Sequence, residues 1–110
     1  MELEATGLHV CDSAVTLAFS ILGKRWNGMI LATLGGGPLS FALLRRTVSG
    51  ISDAVLSDRL TELADSSLVT RTVSSGPPVS VTYTLTPAGE KLLPLLEQLG
   101  TWASENLEQL

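Results

Sequence analysis

The sequence predicts a mainly α-helical domain with one small β-hairpin. Three observations point there. Apolar residues recur at helical spacing along most of the chain. Two short runs, LVTRTV at Leu68–Val73 and SVTYTL at Ser80–Leu85, alternate apolar and polar residues instead. Clusters of Gly, Pro and Ser, such as GGGP and SSGPPV, stand where the chain must turn.

The elements follow in order. Asp12 or Ser13 can cap a first helix running to about Leu22, with Val15, Ala18, Phe19 and Leu22 as its apolar stripe. Gly23 interrupts, and a second helix is expected from Lys24 to about Leu34. Gly35 to Pro38 stop it. Ser40 caps a short third helix, Phe41 to about Val48, which turns Phe41, Leu44 and Val48 inward. Ser49 and Gly50 make a tight turn. A fourth helix then runs from Ser52, its N-cap, to about Ser66, with Ile51, Val55, Leu56, Leu60 and Leu63 on one side. The hairpin spans Leu68 to Leu85. Thr86 and Pro87 begin the last helix as N-cap and first helical residue, and it extends to about Asn106. Pro94 inside it predicts a kink or a local break.

Composition narrows the function. With 110 residues, 45% of them hydrophobic and 16% charged, the chain fits one folded domain, 1–110, with a modest core. Residues 1–12 read as an N-terminal arm. No apolar run is long enough to cross a bilayer, so no membrane partner is expected. The start, MELEATGLHVCDS, is acidic and lacks the basic-then-apolar order of a secretory signal. The single cysteine, Cys11, has no partner for an internal disulfide. Together these predict a cytoplasmic protein. With one histidine, His9, and one cysteine, neither a metal site nor a nucleophilic catalytic set can be assembled, and no cofactor loop is present. An enzyme is not expected. The net charge of −4 is uneven: residues 13–83 carry +2, and each end carries −3.

Two short helices joined by a four-residue turn, followed by a hairpin, make a winged helix-turn-helix. In that architecture the second helix of the pair enters the DNA major groove. The expected DNA-facing set is Ser40, Arg45, Arg46, Ser52, Asp53, Ala54, Ser57, Asp58, Arg59 and Arg71. The serines can donate to phosphates or base edges, and Arg59 can reach a guanine or a phosphate. Asp53 and Asp58 can accept from cytosine amino groups. Arg45 and Arg46 end the third helix, where they suit both its dipole and a DNA backbone. Arg71 serves either a phosphate or an acid of the fold. Lys24 and Arg25 open the second helix, against its dipole, which points to a use outside it.

The last helix carries Leu92, Leu95, Leu96, Leu99, Trp102 and Ala103 on one broad apolar side, more than a small core covers. Twofold pairing is the commonest solution. The expected dimer interface joins these residues to Val15 and Phe19 of the first helix.

Six segments resemble the HxlR-type family of bacterial transcriptional regulators, relatives of the MarR-like winged-helix proteins. They are Cys11 itself, GKRW at Gly23–Trp26, GPLSFALLRR at Gly37–Arg46, GISDAVLSDRLTEL at Gly50–Leu63, LVTR at Leu68–Arg71 and YTLTPAGEKLLPLL at Tyr83–Leu96. The resemblance covers about Cys11 to Ala103. It implies a homodimeric regulator on double-stranded DNA whose recognition helices reach successive major grooves of a near-palindromic site. It also implies a role for Cys11 in sensing an electrophile or oxidant; a small effector would sit between the terminal helices and the domain. The chain departs from the family pattern at Asp12, Ala54 and an uncharged wing, Ser74 to Val79. Those departures keep open a second reading, a winged-helix protein-interaction module that has lost strong DNA binding. An inert Cys11 thiol beside Asp12 also stays open.

Overall fold

The computed structural model describes residues 13–107. A first helix, α1, occupies residues 13–22. It is followed by α2 (Asn27–Leu34), β1 (Leu39–Ser40), α3 (Phe41–Thr47), α4 (Asp53–Asp65), β2 (Val69–Val73), β3 (Val81–Leu85) and α5 (Pro87–Asn106).

Local chemistry sets the helix starts. The Ser40 hydroxyl accepts the Leu43 amide at 3.2 Å, and the Ser52 hydroxyl accepts that of Val55 at 3.2 Å. Thr86 does the same for Gly89 at 3.1 Å, and its own hydroxyl donates to the Ser67 carbonyl at 2.7 Å. Each satisfies an amide that the first helical turn leaves free. The second helix corrects the expectation. Lys24 and Arg25 do not open it; they lie in a turn, and Trp26 is left-handed with φ 83°. That backbone cannot be helical, so α2 starts at Asn27.

The hairpin is part of a three-stranded antiparallel sheet in the order β1-β3-β2. β2 pairs with β3 from Val69 opposite Leu85 to Val73 opposite Val81. β1 adds Leu39 opposite Tyr83 and Ser40 opposite Thr82. A two-residue strand has no alternation to read, which is why the sequence predicts only the hairpin.

Ile30, Leu31 and Leu34 of α2, Leu44 and Val48 around α3, Ile51, and Leu56, Leu60 and Leu63 of α4 form the core. Val69, Tyr83 and Leu85 close it from the sheet. Val55 is a correction: it is exposed, not inward. α5 is continuous across Pro94, so no break forms. Pro94 lies on the exposed side, where the carbonyl it strands can turn to water.

Candidate nucleic-acid interface

α3, the turn at residues 48–52 and α4 form the helix-turn-helix. Gly50 has φ +93°, a conformation that side chains with a Cβ rarely adopt, so glycine lets the chain turn sharply into α4. The outward face of α4 presents Asp53, Ala54, Val55, Ser57, Asp58 and Thr61, all exposed. These are short side chains, which lets the helix approach a groove closely. Val55 and Thr61 extend the predicted set. Both carry methyl groups suited to a thymine methyl.

The cations divide into two kinds. Arg45 Nε lies 3.3 Å from Asp53 Oδ1, and both side chains are exposed. Asp53 therefore has two structural roles: it suits the positive end of α4 and tethers α3 to α4. Arg46 is exposed and makes no ion pair among the described residues. Nor does Arg71, which with Ser57 and Thr61 lines a cleft of about 320 Å³ between α4 and the sheet. Arg71 thus stands beside the outward face of α4, although 10 residues separate it from Thr61 in sequence. Ser40 is half-buried and committed to its cap.

Arg59 is placed differently from the sequence expectation. Its side chain is only 24% exposed, and Nη1 lies 3.5 Å from Glu62 Oε1. It lines a shallow depression on the flank of α4 together with Asp58, Thr61 and Glu62. Glu62 also accepts from the Lys24 ammonium through Oε2 and from the buried Asn27 amide, which donates to Oε1 at 3.0 Å. Lys24 and Asn27 hold the Glu62 carboxyl below its ordinary value of 4.5, against the opposing effect of burial, and the Arg59 charge adds to them. Asp58 and Asp65 line the same side of the helix. A lowered native pKa gives stability that is present above about pH 4.5 and lost as pH falls through the native value. Glu62→Gln should therefore melt below the parent at pH 7, with the gap closing towards pH 3. Thermal melts across that range check this; a gap independent of pH would remove Glu62 from the linkage.

The wing tip, residues 74–80, is exposed and uncharged, with Val79 among its most open side chains. Val15, Leu17 and Phe19 of α1 and Leu95, Leu99, Trp102 and Leu107 at α5 are exposed apolar residues. Leu92 and Leu96 pack partly on the chain's own core, and Ala103 is half-buried. Trp26 packs on the core, and Arg25 stands over its ring at 4.7 Å. Between α1 and α5 lies an apolar cleft of about 460 Å³ lined by Leu17, Ile21, Leu22, Leu68 and Leu92. Cys11, His9 and Asp12 lie outside the described residues. Among the described residues no helix is long and apolar enough to cross a membrane.

The HxlR-like helix-turn-helix family model matches residues 21–110. The transcriptional regulator YodB of Bacillus subtilis (strain 168) is 42% identical over 91 residues, 83% of this chain and 81% of YodB. Its reduced form superposes with a TM-score of 0.80 at 41% identity, covering 84% of this chain and 91% of that one. A quinone-bound form of YodB superposes at 0.74 with 38% identity, covering 84% and 96%. These likenesses are to transcriptional regulators and not to enzymes. On that coverage, and on the winged helix-turn-helix built above, the chain belongs to the HxlR-like helix-turn-helix family of transcriptional regulators.

Proposed function

We propose that this regulator acts in the cytoplasm as a homodimer on a near-palindromic operator, with α4 in the major groove and the sheet beside it. The observation that carries the reading is the outward face of α4. It is made of short, exposed side chains with Arg71 beside it, and neither Arg71 nor the exposed Arg46 of α3 makes an ion pair among the described residues. Ser52, Ala54, Val55, Ser57, Asp58 and Thr61 read base edges in this docking. Arg46 and Arg71 hold phosphates, and Arg45 and Asp53 fix the angle between the two helices. Arg59 supports the helix from its flank. The exposed apolar residues of α1 and α5 supply the twofold contact.

Selection from randomised duplexes at two salt concentrations tests the reading. A motif of two half-sites, weakened by salt, is the expected product. Loss of all enrichment would favour the protein-interaction module, a reading that the uncharged wing and the net charge of −4 keep distinct. Arg46→Ala and Arg71→Ala should each weaken operator and scrambled duplex alike, and each should reduce the salt slope by about 1. A loss confined to one base position would instead make either arginine a base reader.

An electrophile or oxidant is the proposed effector class. The support is YodB, which has been crystallised with quinone bound, together with the sole cysteine here, Cys11. The thiolate is the reactive form of cysteine, and it is the group such reagents modify. Quinone should release the wild-type protein from its operator and leave Cys11→Ser bound. Equal release of both would place the response elsewhere, with the cleft between α1 and α5 as the next site to examine.

A further inference from the structure

Residues 23–26, the turn between α1 and α2, touch α4 at two separated places. Near its entry, the Trp26 indole lies against Gly50: a Cβ at Gly50 would sit 3.6 Å from Trp26 Cη2. Two and a half turns further on, Glu62 receives both the Lys24 ammonium and the Asn27 amide. Asn27 is fully buried, and the same Nδ2 donates at 2.8 Å to the Ile21 carbonyl in the last turn of α1. Its Oδ1 and Arg59 Nε are buried without partners. Buried polar groups are costly unless paired, so an asparagine here demands a reason beyond packing.

We propose that Asn27, Lys24 and Glu62 are positioning residues for operator recognition. They fix the rotation and tilt of α4 relative to α1, so that its outward face meets the groove in register. The inference rests on α4 being the recognition helix. Lys24 and Asn27 lie off α4, and the Glu62 carboxylate is committed to them, so the three act through the helix and not on a base. What they fix is an angle. Glu62 points to the α1–α2 turn, Asn27 ties that turn to the end of α1, and Trp26 stops the entry of α4 from sliding. Because α1 carries the exposed Val15, Leu17 and Phe19, a shift of α1 passes to α4 through this carboxylate and amide.

Charge makes the test decisive. Glu62→Gln removes a negative group from a DNA-binding helix, so electrostatics alone would strengthen binding to every duplex. Positioning predicts the opposite for the operator. The experiment measures affinity for the selected operator and for a scrambled duplex of equal length, at pH 7 and well below the melting temperature of each variant. Glu62→Gln should bind the operator about tenfold more weakly, the loss expected for a hydrogen bond to a charged group, and should bind the scrambled duplex as well as the parent or better. Glu62→Lys should widen that split. Lys24→Met removes the other half of the ion pair and should show the same split between operator and scrambled duplex, and Lys24→Met combined with Glu62→Gln should lose less than the sum of the two single losses. A parallel loss on both duplexes, a parallel gain, or fully additive losses in the double variant would each overturn the proposal. Failure of the parent to prefer the operator would instead overturn the recognition-helix reading on which it stands.

Discussion

Gly89→Ala is expected to lower the melting temperature by more than about 10 °C. Gly89 sits in the first turn of α5 and is buried against Leu68, at the entry to β2, and Leu85, at the end of β3. A Cβ there would lie 2.3 Å from the Leu68 carbonyl oxygen and 3.2 Å from Leu85 Cδ2. The carbonyl cannot yield, because it also accepts the Thr86 amide at 3.1 Å, and Thr86 in turn caps α5. α5 must move off the sheet or the sheet must distort. Overpacking of this kind costs about 1–3 kcal/mol and more against fixed backbone, in a fold whose whole stability is about 5–15 kcal/mol. Each kcal/mol moves the melting point of a domain this size by about 4–8 °C. Gly28→Ala is the control. It lies inside α2 with no atom within 4 Å of its would-be Cβ, so alanine should stabilise by about 0.5–1 kcal/mol. Calorimetry on the two variants checks both signs, and a Gly89→Ala protein melting with the parent would mean that α5 is not seated this way.

The double variant Leu99→Glu with Trp102→Glu is expected to convert the proposed dimer to monomers with little change in the fold. Both side chains are about half exposed in the single chain, and neither belongs to the core. Two carboxylates facing their symmetry mates would combine charge burial with repulsion. Light scattering should give the monomer mass. Because one half-site no longer anchors the other, affinity for the two-half-site operator should fall by about 10²–10⁴ while a single half-site is bound as before. A variant that stays dimeric at micromolar concentration would move the interface away from α5.

The helices of the recognition motif were legible because their signals are local. Ser40, Ser52 and Thr86 announce starts, Gly50 announces the turn, and the spacing of Leu56, Leu60 and Leu63 gives the inward side. The exposed apolar residues of α5 were legible for the same reason. What escaped depends on distance in sequence. β1 exists only because Leu39 and Ser40 meet Tyr83 and Thr82. Val55 reads as core by hydropathy, yet its place on α4 turns it outward. Arg59 reads as a groove contact by charge, yet Glu62 draws it to the flank. The pairing of Lys24 with Glu62 spans 38 residues and leaves no local trace. One signal was available: Asn27 is a buried-facing amide in the mostly apolar run NGMILATL.

β1 has a mechanical consequence. Ser40 is both the residue opposite Thr82 in the sheet and the cap of α3, with no spacer between the two roles. Helix pair and wing are therefore joined directly at that residue, with no spacer to act as a joint between them. In the proposed dimer, tolerance for altered spacing between half-sites would come from the seam between protomers. A signal that shifts that seam would thus change which spacings are accepted before it changes which bases are read.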